Sequence, residues 1–180
     1  MMTYDDDSAA EYTVNPWTFC SPSLEKWIAD QIPDRPGYAE ILWAARSKLL
    51  AESKVALLST VVGLSMAGDP PFDMDGERRR PMWGDPSWRR IGADATPENI
   101  EVNHLHIKTD YIREDLNVAL PLDRLRELVE DGVVGSVADT HYSTMGYQGA
   151  DTSVLENESA PEIARSLLDE GVNLLLLAPV

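Results

Sequence analysis

The chain contains three histidines, and their spacing is the first feature that could support chemistry. His104 and His106 are separated by one residue, so on a β-strand both side chains would lie on the same face. Asp110 follows shortly afterwards, and His141 begins a later polar segment. Histidine nitrogens and carboxylate oxygens are common ligands of zinc and iron. The pattern therefore predicts either a transition-metal site or hydrogen-bonded polar side chains that line a pocket.

One dense basic cluster is formed by the arginines at 78–80 together with Arg89 and Arg90. An arginine fork suits a carboxylate or phosphate of a small substrate, but the same cluster also fits a solvated loop that balances nearby acids. The chain as a whole is acidic, with 31 acidic and 15 basic residues and a formal charge of −16. Because such a surface repels polyanions, nucleic acid and anionic membranes are not expected as partners.

Several common catalytic motifs are missing from the sequence. There is no glycine-rich phosphate-binding loop and no Gly-x-Ser-x-Gly nucleophile motif. The one cysteine, Cys20, lies beside apolar aromatic residues and is interpreted as structural rather than nucleophilic. A single cysteine fits a reducing compartment, the amino terminus lacks a secretory signal, and no apolar run could span a bilayer. A cytoplasmic protein is therefore expected.

Apolar patterning predicts strands that alternate with helices. Apolar or alternating runs predict four strands, at 54–62, 100–107, 133–137 and 174–178. Helical periodicity and helix-start signals predict four helices, at 23–31, 38–50, 122–130 and about 159–171. The segments at 64–99 and 138–151 are interpreted as loops.

This alternation is typical of an α/β fold, in which right-handed crossovers produce a parallel sheet covered by helices. We predict a Rossmann- or flavodoxin-like α/β domain at 54–180, preceded at 1–53 by an acidic tail and a helical extension. Ligands of such sheets bind at the carboxyl ends of the strands. We therefore expect one shared pocket there, with the loop after Thr60 as a wall and with these side chains inside it: His104, His106, Asp110 and His141.

Five motifs follow one another between residues 70 and 180: PPFD at 70–73, GDPSWR at 84–89, HLHIKTDYIREDLNVALPLDRLREL at 104–128, GSVADTHYSTMGY at 135–147 and APEIARSLLDEGVNLLLLAPV at 160–180. In this order they resemble the glycine/sarcosine/betaine reductase selenoprotein B family. The resemblance extends over residues 54–180.

The resemblance implies redox chemistry. Characterised members of that family have an α/β fold and reduce an activated amino acid or amine. They break a carbon–nitrogen bond with a selenocysteine or cysteine nucleophile that follows the strand corresponding to 174–180 here. The resemblance thus implies an oxidoreductase subunit that acts on a small amino-acid- or amine-derived substrate. Its thiolate or selenolate would come from beyond residue 180 or from a partner chain.

The resemblance also implies roles for individual side chains. A histidine commonly stands in the family at the position of His141, where it would act as an acid or base beside the nucleophile. The residues implied to bind the substrate are Thr60, Arg89, Asp110, Asp115, Asn117, Tyr142 and Ser143.

Two functions of other classes also fit the sequence. A metal-dependent enzyme, for instance in secondary metabolism, would use zinc or iron held by His104, His106 and His141. A non-catalytic scaffold or binding subunit would keep the fold without the chemistry. In all these cases the apolar faces and the edge of the strand at 174–178 must be buried against other protein. A homo-oligomer or a second protein subunit is therefore expected as well.

Overall fold

A computed structural model describes residues 18, 20–31, 44–60, 62–80, 83–148 and 151–179. The chain divides into two compact units, residues 1–39 and 40–180, each of which is described by itself. In the first unit, helix α1 (Pro22–Gln31) matches the helix predicted at 23–31. The predicted acidic tail lies outside the described residues, and the division predicted after residue 53 stays a prediction. Within the part of the chain that the structure covers, no helix has the length and apolar character that crossing a membrane requires.

The second unit has seven strands and four α-helices among its described residues. The strands are β1 (Lys54–Ser59), β2 (Leu64–Met66), β3 (Trp88–Gly92), β4 (Ile100–Val102), β5 (Ser136–Val137), β6 (Thr140–Thr144) and β7 (Leu174–Ala178). The helices are α2 (Met74–Arg79), α3 (Asp110–Glu114), α4 (Leu122–Glu130) and α5 (Ala160–Asp169), with 3₁₀ turns at Leu50–Glu52 and Leu116–Val118 and a π-helical turn at Leu155–Ser159.

The main sheet is built around β1. β1 pairs in parallel with β7 over five residue pairs, from Val55–Leu174 to Ser59–Ala178. On its other side it pairs in parallel with β5 and then with β6, which follow one another along the chain. β3 pairs with β6 in the antiparallel direction and forms an edge. The predicted α/β class is therefore confirmed, but the prediction of a parallel sheet is wrong in two places. β3, which was expected to be part of a loop, pairs antiparallel, and the strand predicted at 100–107 does not belong to this sheet.

The apolar run of β1 is buried because helices cover both faces of the sheet. Val55 and Leu57 pack on one face in a cluster with Leu122 and Leu125 of α4. The opposite face buries Ala56, Ala138, Tyr142, Ile163 and Leu167, the last two from α5. Successive residues of β1 thus belong to different cores, which explains why a continuous apolar run, rather than an alternating one, forms this strand.

Two of the predicted strands are shorter than expected. The strand predicted at 100–107 ends at Val102, and as β4 it pairs antiparallel with β2 in a separate two-stranded sheet. Asn103 ends it, because its buried side chain donates to the Gly63 carbonyl and the Ser65 hydroxyl. The strand predicted at 133–137 is reduced to β5, because Val133 and Val134 instead form a turn onto the Leu128 carbonyl after α4.

The sequence prediction was also wrong about two loops and part of a helix. The segment at 64–99 contains β2, α2 and β3, and the segment after 137 contains β6. In the helix predicted at 38–50, residues 38–43 lie outside the described residues, and 44–49 have no regular secondary structure. The Rossmann- or flavodoxin-like topology stays a prediction.

Gly63 allows the tight connection between β1 and β2. Its φ is +58°, and an added Cβ would lie 2.5 Å from Met145 Sδ and 2.8 Å from the Asn103 carbonyl oxygen. Gly68 also has a positive φ, +89°, but faces open space. Both substitutions strain the backbone, because both glycines have a positive φ, but only the Gly63→Ala methyl group would overlap neighbouring atoms. We therefore expect Gly63→Ala to lower the free energy of unfolding by about 1–3 kcal/mol more than Gly68→Ala. Urea denaturation of both variants measures this, and equal losses would contradict the packing described.

Candidate functional site

Two adjoining cavities lie at the carboxyl ends of β1, β6 and β7. The larger has a volume of about 610 Å³ and is enclosed by one face of the sheet and by α5. Thr60, the residue after β1, lies on its wall, and its predicted contact with substrate stays a prediction. Its lining is otherwise mostly aliphatic, which suits the apolar body of a small ligand. The principal aliphatic residues are Leu58, Ile163, Leu167, Leu175 and Leu177.

The smaller cavity has a volume of about 340 Å³ and a more polar lining, which includes Glu77, His106 and Trp83. It adjoins the larger cavity because both are lined by the same three residues, namely His104, Met145 and Tyr147. A ligand in the larger cavity would therefore have an acid–base cluster beside it.

That cluster consists of Glu77 and two imidazoles. Glu77 Oε1 lies 3.1 Å from His104 Nδ1 and 3.5 Å from His106 Nε2, and the two rings meet edge to face at 5.9 Å. Glu77 is buried in α2, while the His104 side chain is 11% exposed and the His106 side chain 57% exposed. Burial lowers the pKa of His104, an effect that the Glu77 carboxylate opposes and the neighbouring His106 reinforces. His104 is therefore held mainly neutral at pH 7, as a base must be.

His141 lies elsewhere, as the second residue of β6, and is 0% exposed. Its Nδ1 accepts a hydrogen bond from Leu57 N–H at 3.0 Å, so the imidazole takes the place of a strand carbonyl between β5 and β6. In the described part of the chain its Nε2 has no hydrogen-bond partner. Burial lowers the pKa of His141 to about 4. His141 lines neither cavity, so the structure brings His104 and His106 together and leaves His141 apart from them.

Comparison with known proteins assigns the chain to a family. The model of the family described as glycine/sarcosine/betaine reductase selenoprotein B matches residues 45–179. The chain belongs to this family. The match includes all seven strands and every residue that lines the two cavities.

Three curated relatives are reductase subunits. D-proline reductase subunit gamma of Acetoanaerobium sticklandii is 32% identical over 136 residues, which make up 76% of this chain and 52% of that protein. Glycine reductase complex component B subunit gamma is 32% identical in Peptoclostridium acidaminophilum and 33% identical in Peptoclostridium litorale, in both cases over 47% of this chain and 19% of the relative. The chain thus spans about half the length of the first relative and about a fifth of the other two. No solved structure matches it.

In this member of the selenoprotein B family, Arg89 joins the PPFD motif to the GDPSWR motif. Its guanidinium donates to the carbonyls of Pro70 and Pro71, both at 2.7 Å, and to the Ser87 hydroxyl at 2.9 Å. It also stacks over Phe72, 4.2 Å from the ring centroid. The resemblance implies that Arg89 binds substrate. In the structure its guanidinium N–H groups hold the PPFD segment against the GDPSWR segment, and a contact with substrate stays a prediction.

The acidic residues predicted to bind substrate lie apart from the two cavities. Asp115 accepts hydrogen bonds from the backbone and side-chain nitrogens of Asn117, and the Asn117 amide donates to Asp123 at the start of α4. These contacts hold the connection between α3 and α4. Asp110 is exposed at the beginning of α3. None of the three residues lines either cavity.

Tyr142 and Ser143 are buried in β6 and line neither cavity. Tyr142 packs against Trp88, with ring centroids 5.7 Å apart. The Ser143 hydroxyl accepts a hydrogen bond from Leu64 N–H at 2.8 Å and so fixes the start of β2. The predicted contacts of both side chains with substrate stay predictions.

No group of three or more His, Cys, Asp or Glu side chains within the described ranges is arranged to hold a metal ion. The zinc or iron site predicted at His104, His106 and His141 stays a prediction.

Sequence analysis missed Glu77, the residue that organises the cluster. It lies in the charged helix MDGERR, where charges normally indicate a solvated face. No signal in the sequence distinguishes it, because Glu77 is followed by three arginines and yet is only 3% exposed in the structure. The burial is a tertiary feature and cannot be read from the helix itself.

Proposed function

We propose that this chain is a subunit of a reductase complex that reductively cleaves a carbon–nitrogen bond in a small amino-acid- or amine-derived substrate. Membership of the glycine/sarcosine/betaine reductase selenoprotein B family supports a reductase function. The relatives, D-proline reductase subunit gamma and glycine reductase complex component B subunit gamma, support a subunit role and an amino-acid substrate. The substrate would occupy the two adjoining cavities.

One observation carries the proposal for this chain's own residues: an aliphatic cavity adjoins a buried carboxylate that contacts two imidazoles. Reductive cleavage converts a C–N bond into a C–H and an N–H bond, which requires two electrons and two protons. Imidazoles can supply protons at neutral pH. The aliphatic lining would hold the carbon skeleton of the substrate and exclude water from it.

The electrons require a further component. Among the described residues no cysteine lines either cavity. We therefore propose that a thiolate or selenolate, supplied from beyond residue 180 or by a partner chain, acts at the mouth of the larger cavity. β7 is available for such an association, because Leu176 and Leu177 are 48% and 55% exposed.

Filling the larger cavity should prevent substrate binding. Ala164 lines this cavity from α5, and Leu168, one helical turn later, is 73% exposed and lines neither cavity. We expect Ala164→Phe to weaken binding of D-proline or glycine at least about tenfold, equivalent to about 1.4 kcal/mol. Leu168→Phe should leave binding unchanged. Isothermal titration calorimetry of the full chain with each amino acid measures both effects.

Equal binding by the two variants would place the substrate outside the larger cavity. If neither amino acid binds the wild-type chain, alone or with its partner subunit, the chain is a non-catalytic component and the proposal fails.

A further inference from the structure

The two adjoining cavities differ in the charge that their linings offer to a ligand. Among the described residues that line them there is no lysine or arginine. The smaller cavity contains a carboxylate, Glu77, which is 3% exposed, whereas the described lining of the larger cavity contains no acidic side chain. The linings therefore favour a positively charged group in the smaller cavity and an uncharged, apolar group in the larger one.

Glu77 has few groups around it that compensate its charge. Its ion-pair contacts in the described part of the chain are His104 Nδ1 at 3.1 Å and His106 Nε2 at 3.5 Å. His104 Nδ1 accepts a hydrogen bond from His106 N–H, so in that arrangement it has no proton to donate to Glu77. Leu105 N–H approaches Glu77 Oε2 at 3.4 Å, which is long for a hydrogen bond. The carboxylate therefore keeps hydrogen-bonding capacity for a cationic ligand.

Aromatic side chains line the same cavity as Glu77. Trp83 lies in its wall and packs on α2, the helix that carries Glu77, because an added Cβ at Gly76 would lie 2.5 Å from Trp83 Cζ3. Tyr147 lines both cavities. The faces of aromatic rings attract ammonium groups and also pack against the carbon atoms attached to them. A carboxylate beside aromatic rings is thus suited to the charged end of an amine.

We propose that the smaller cavity binds the ammonium group of an apolar amine, with Glu77 as its counter-ion, and that the larger cavity holds the apolar body of the same molecule. This inference rests on the proposed function and names its class of substrate: an amine with a body of several carbon atoms and without a free carboxylate. The ammonium donates charge-assisted hydrogen bonds to Glu77. One molecule can extend through both cavities because three residues line both of them, namely His104, Met145 and Tyr147.

The volume of the larger cavity favours a body of several carbon atoms. The cavity measures about 610 Å³, and its walls are mostly aliphatic. The two carbon atoms of glycine would leave most of this space empty. Each further methylene group that the walls remove from water should tighten binding roughly fourfold.

An amino acid suits this arrangement less well than the corresponding amine. Its carboxylate lies two bonds from the nitrogen and would therefore come close to Glu77, which repels it. Arg80 stacks over the Trp83 ring, 4.3 Å from its centroid, but is not one of the residues that line the cavity. A ligand carboxylate held by Arg80 would produce the opposite preference, and Arg80→Gln would then weaken binding.

The test is isothermal titration calorimetry of the full chain at neutral pH, in the presence of a metal chelator. The probes are phenethylamine, both enantiomers of phenylalanine, phenethyl alcohol and methylamine. We expect phenethylamine to bind at least about tenfold more tightly than phenylalanine, which adds a carboxylate, and than phenethyl alcohol, which lacks the charge. Methylamine lacks the apolar body and should also bind at least about tenfold more weakly than phenethylamine.

Two matched variants test the role of Glu77. Glu77→Gln should weaken binding of phenethylamine at least about tenfold, because a neutral acceptor replaces a charged one, and should change binding of phenethyl alcohol less than about threefold. Asp75→Asn removes the same charge from the same helix. The Asp75 side chain is 77% exposed and lines neither cavity, so this variant should bind phenethylamine as wild type does. Equal binding of phenethylamine by wild type and Glu77→Gln would overturn the proposal.

If Glu77→Gln fails to fold, as judged by circular dichroism, the order of affinities of the wild-type chain decides alone. Phenylalanine that binds as tightly as phenethylamine would overturn this inference and leave the proposed function intact. Phenethylamine that binds as expected, while D-proline and glycine do not bind, would support this inference and count against an amino-acid substrate. If none of these compounds binds, both proposals fail.

Discussion

Replacing His141 by alanine should lower the free energy of unfolding by about 3–5 kcal/mol, among the largest effects expected of a single substitution in this chain. The imidazole is fully buried in β6, and its Nδ1 accepts the Leu57 N–H at 3.0 Å. Alanine would leave a cavity in the sheet and a buried N–H group without an acceptor. Guanidinium chloride denaturation at pH 7 measures the loss.

The same residue should make the fold sensitive to acid. The ordinary pKa of histidine is 6.5, and burial lowers the pKa of His141 to about 4, so between these values the unfolded chain binds the proton more readily. Above pH 6.5 His141 is neutral in both states and the fold keeps its full stability. Between pH 6.5 and pH 4 stability should fall by up to about 3 kcal/mol.

His141→Asn is the control for this pH dependence. Its side-chain carbonyl can accept a hydrogen bond but does not titrate, so the variant should lose the part of the slope that His141 causes. A slope equal to that of wild type would show that other groups, such as His104, are responsible. A loss below about 1 kcal/mol in His141→Ala at pH 7 would contradict the structural role.

Replacing Arg89 by lysine should lower the free energy of unfolding by about 2–4 kcal/mol although the charge is kept. The guanidinium reaches Pro70, Pro71 and Ser87 at once and stacks over Phe72, which a single ammonium group cannot do. Loss of these contacts would release the PPFD loop. Thermal denaturation followed by tryptophan fluorescence measures the change.

Arg90→Lys provides the matched control, because Arg90 is the next residue of β3 and is exposed. It should change stability by less than about 0.5 kcal/mol. Similar losses in both variants would indicate a general effect on the edge strand. A stable Arg89→Lys protein that no longer binds D-proline would instead support the substrate-binding role predicted from the sequence.

Elements with apolar composition could be predicted from the sequence, because their burial is encoded in the residues themselves. The run at 54–62 forms β1, the run at 174–178 forms β7, and the amphipathic pattern at 122–130 forms α4. β6 was missed because THYST is polar. Four of its residues are nevertheless buried. Two of their polar side chains accept hydrogen bonds from distant backbone groups: His141 Nδ1 from Leu57 N–H, and the Ser143 hydroxyl from Leu64 N–H.

The candidate site was predicted in outline but not in composition. Strand alternation indicates a site at the carboxyl ends of the strands, and in the structure Thr60 and His104 line the larger cavity, while their roles stay predictions. The spacing of His104 and His106 did bring them together, although on a loop rather than a strand. Their partnership with Glu77 depends on how α2 packs. No pattern within 74–79 distinguishes that buried carboxylate from its exposed neighbours.

The pairing of β1 with β7 also governs how this protein acquires its fold. The ladder begins where Lys54 N–H donates to the Asn173 side chain, a contact between residues 119 positions apart in the chain. Such pairings must overcome a large loop-closure entropy, which places the protein among domains of high contact order and slow folding. During synthesis on the ribosome, the apolar β1 is made long before its principal neighbour emerges. Until β7 is synthesised, β1 in the nascent chain lacks the strand with which it forms its longest ladder. We expect chaperones to be most important during this interval, because the apolar residues of β1 are then exposed.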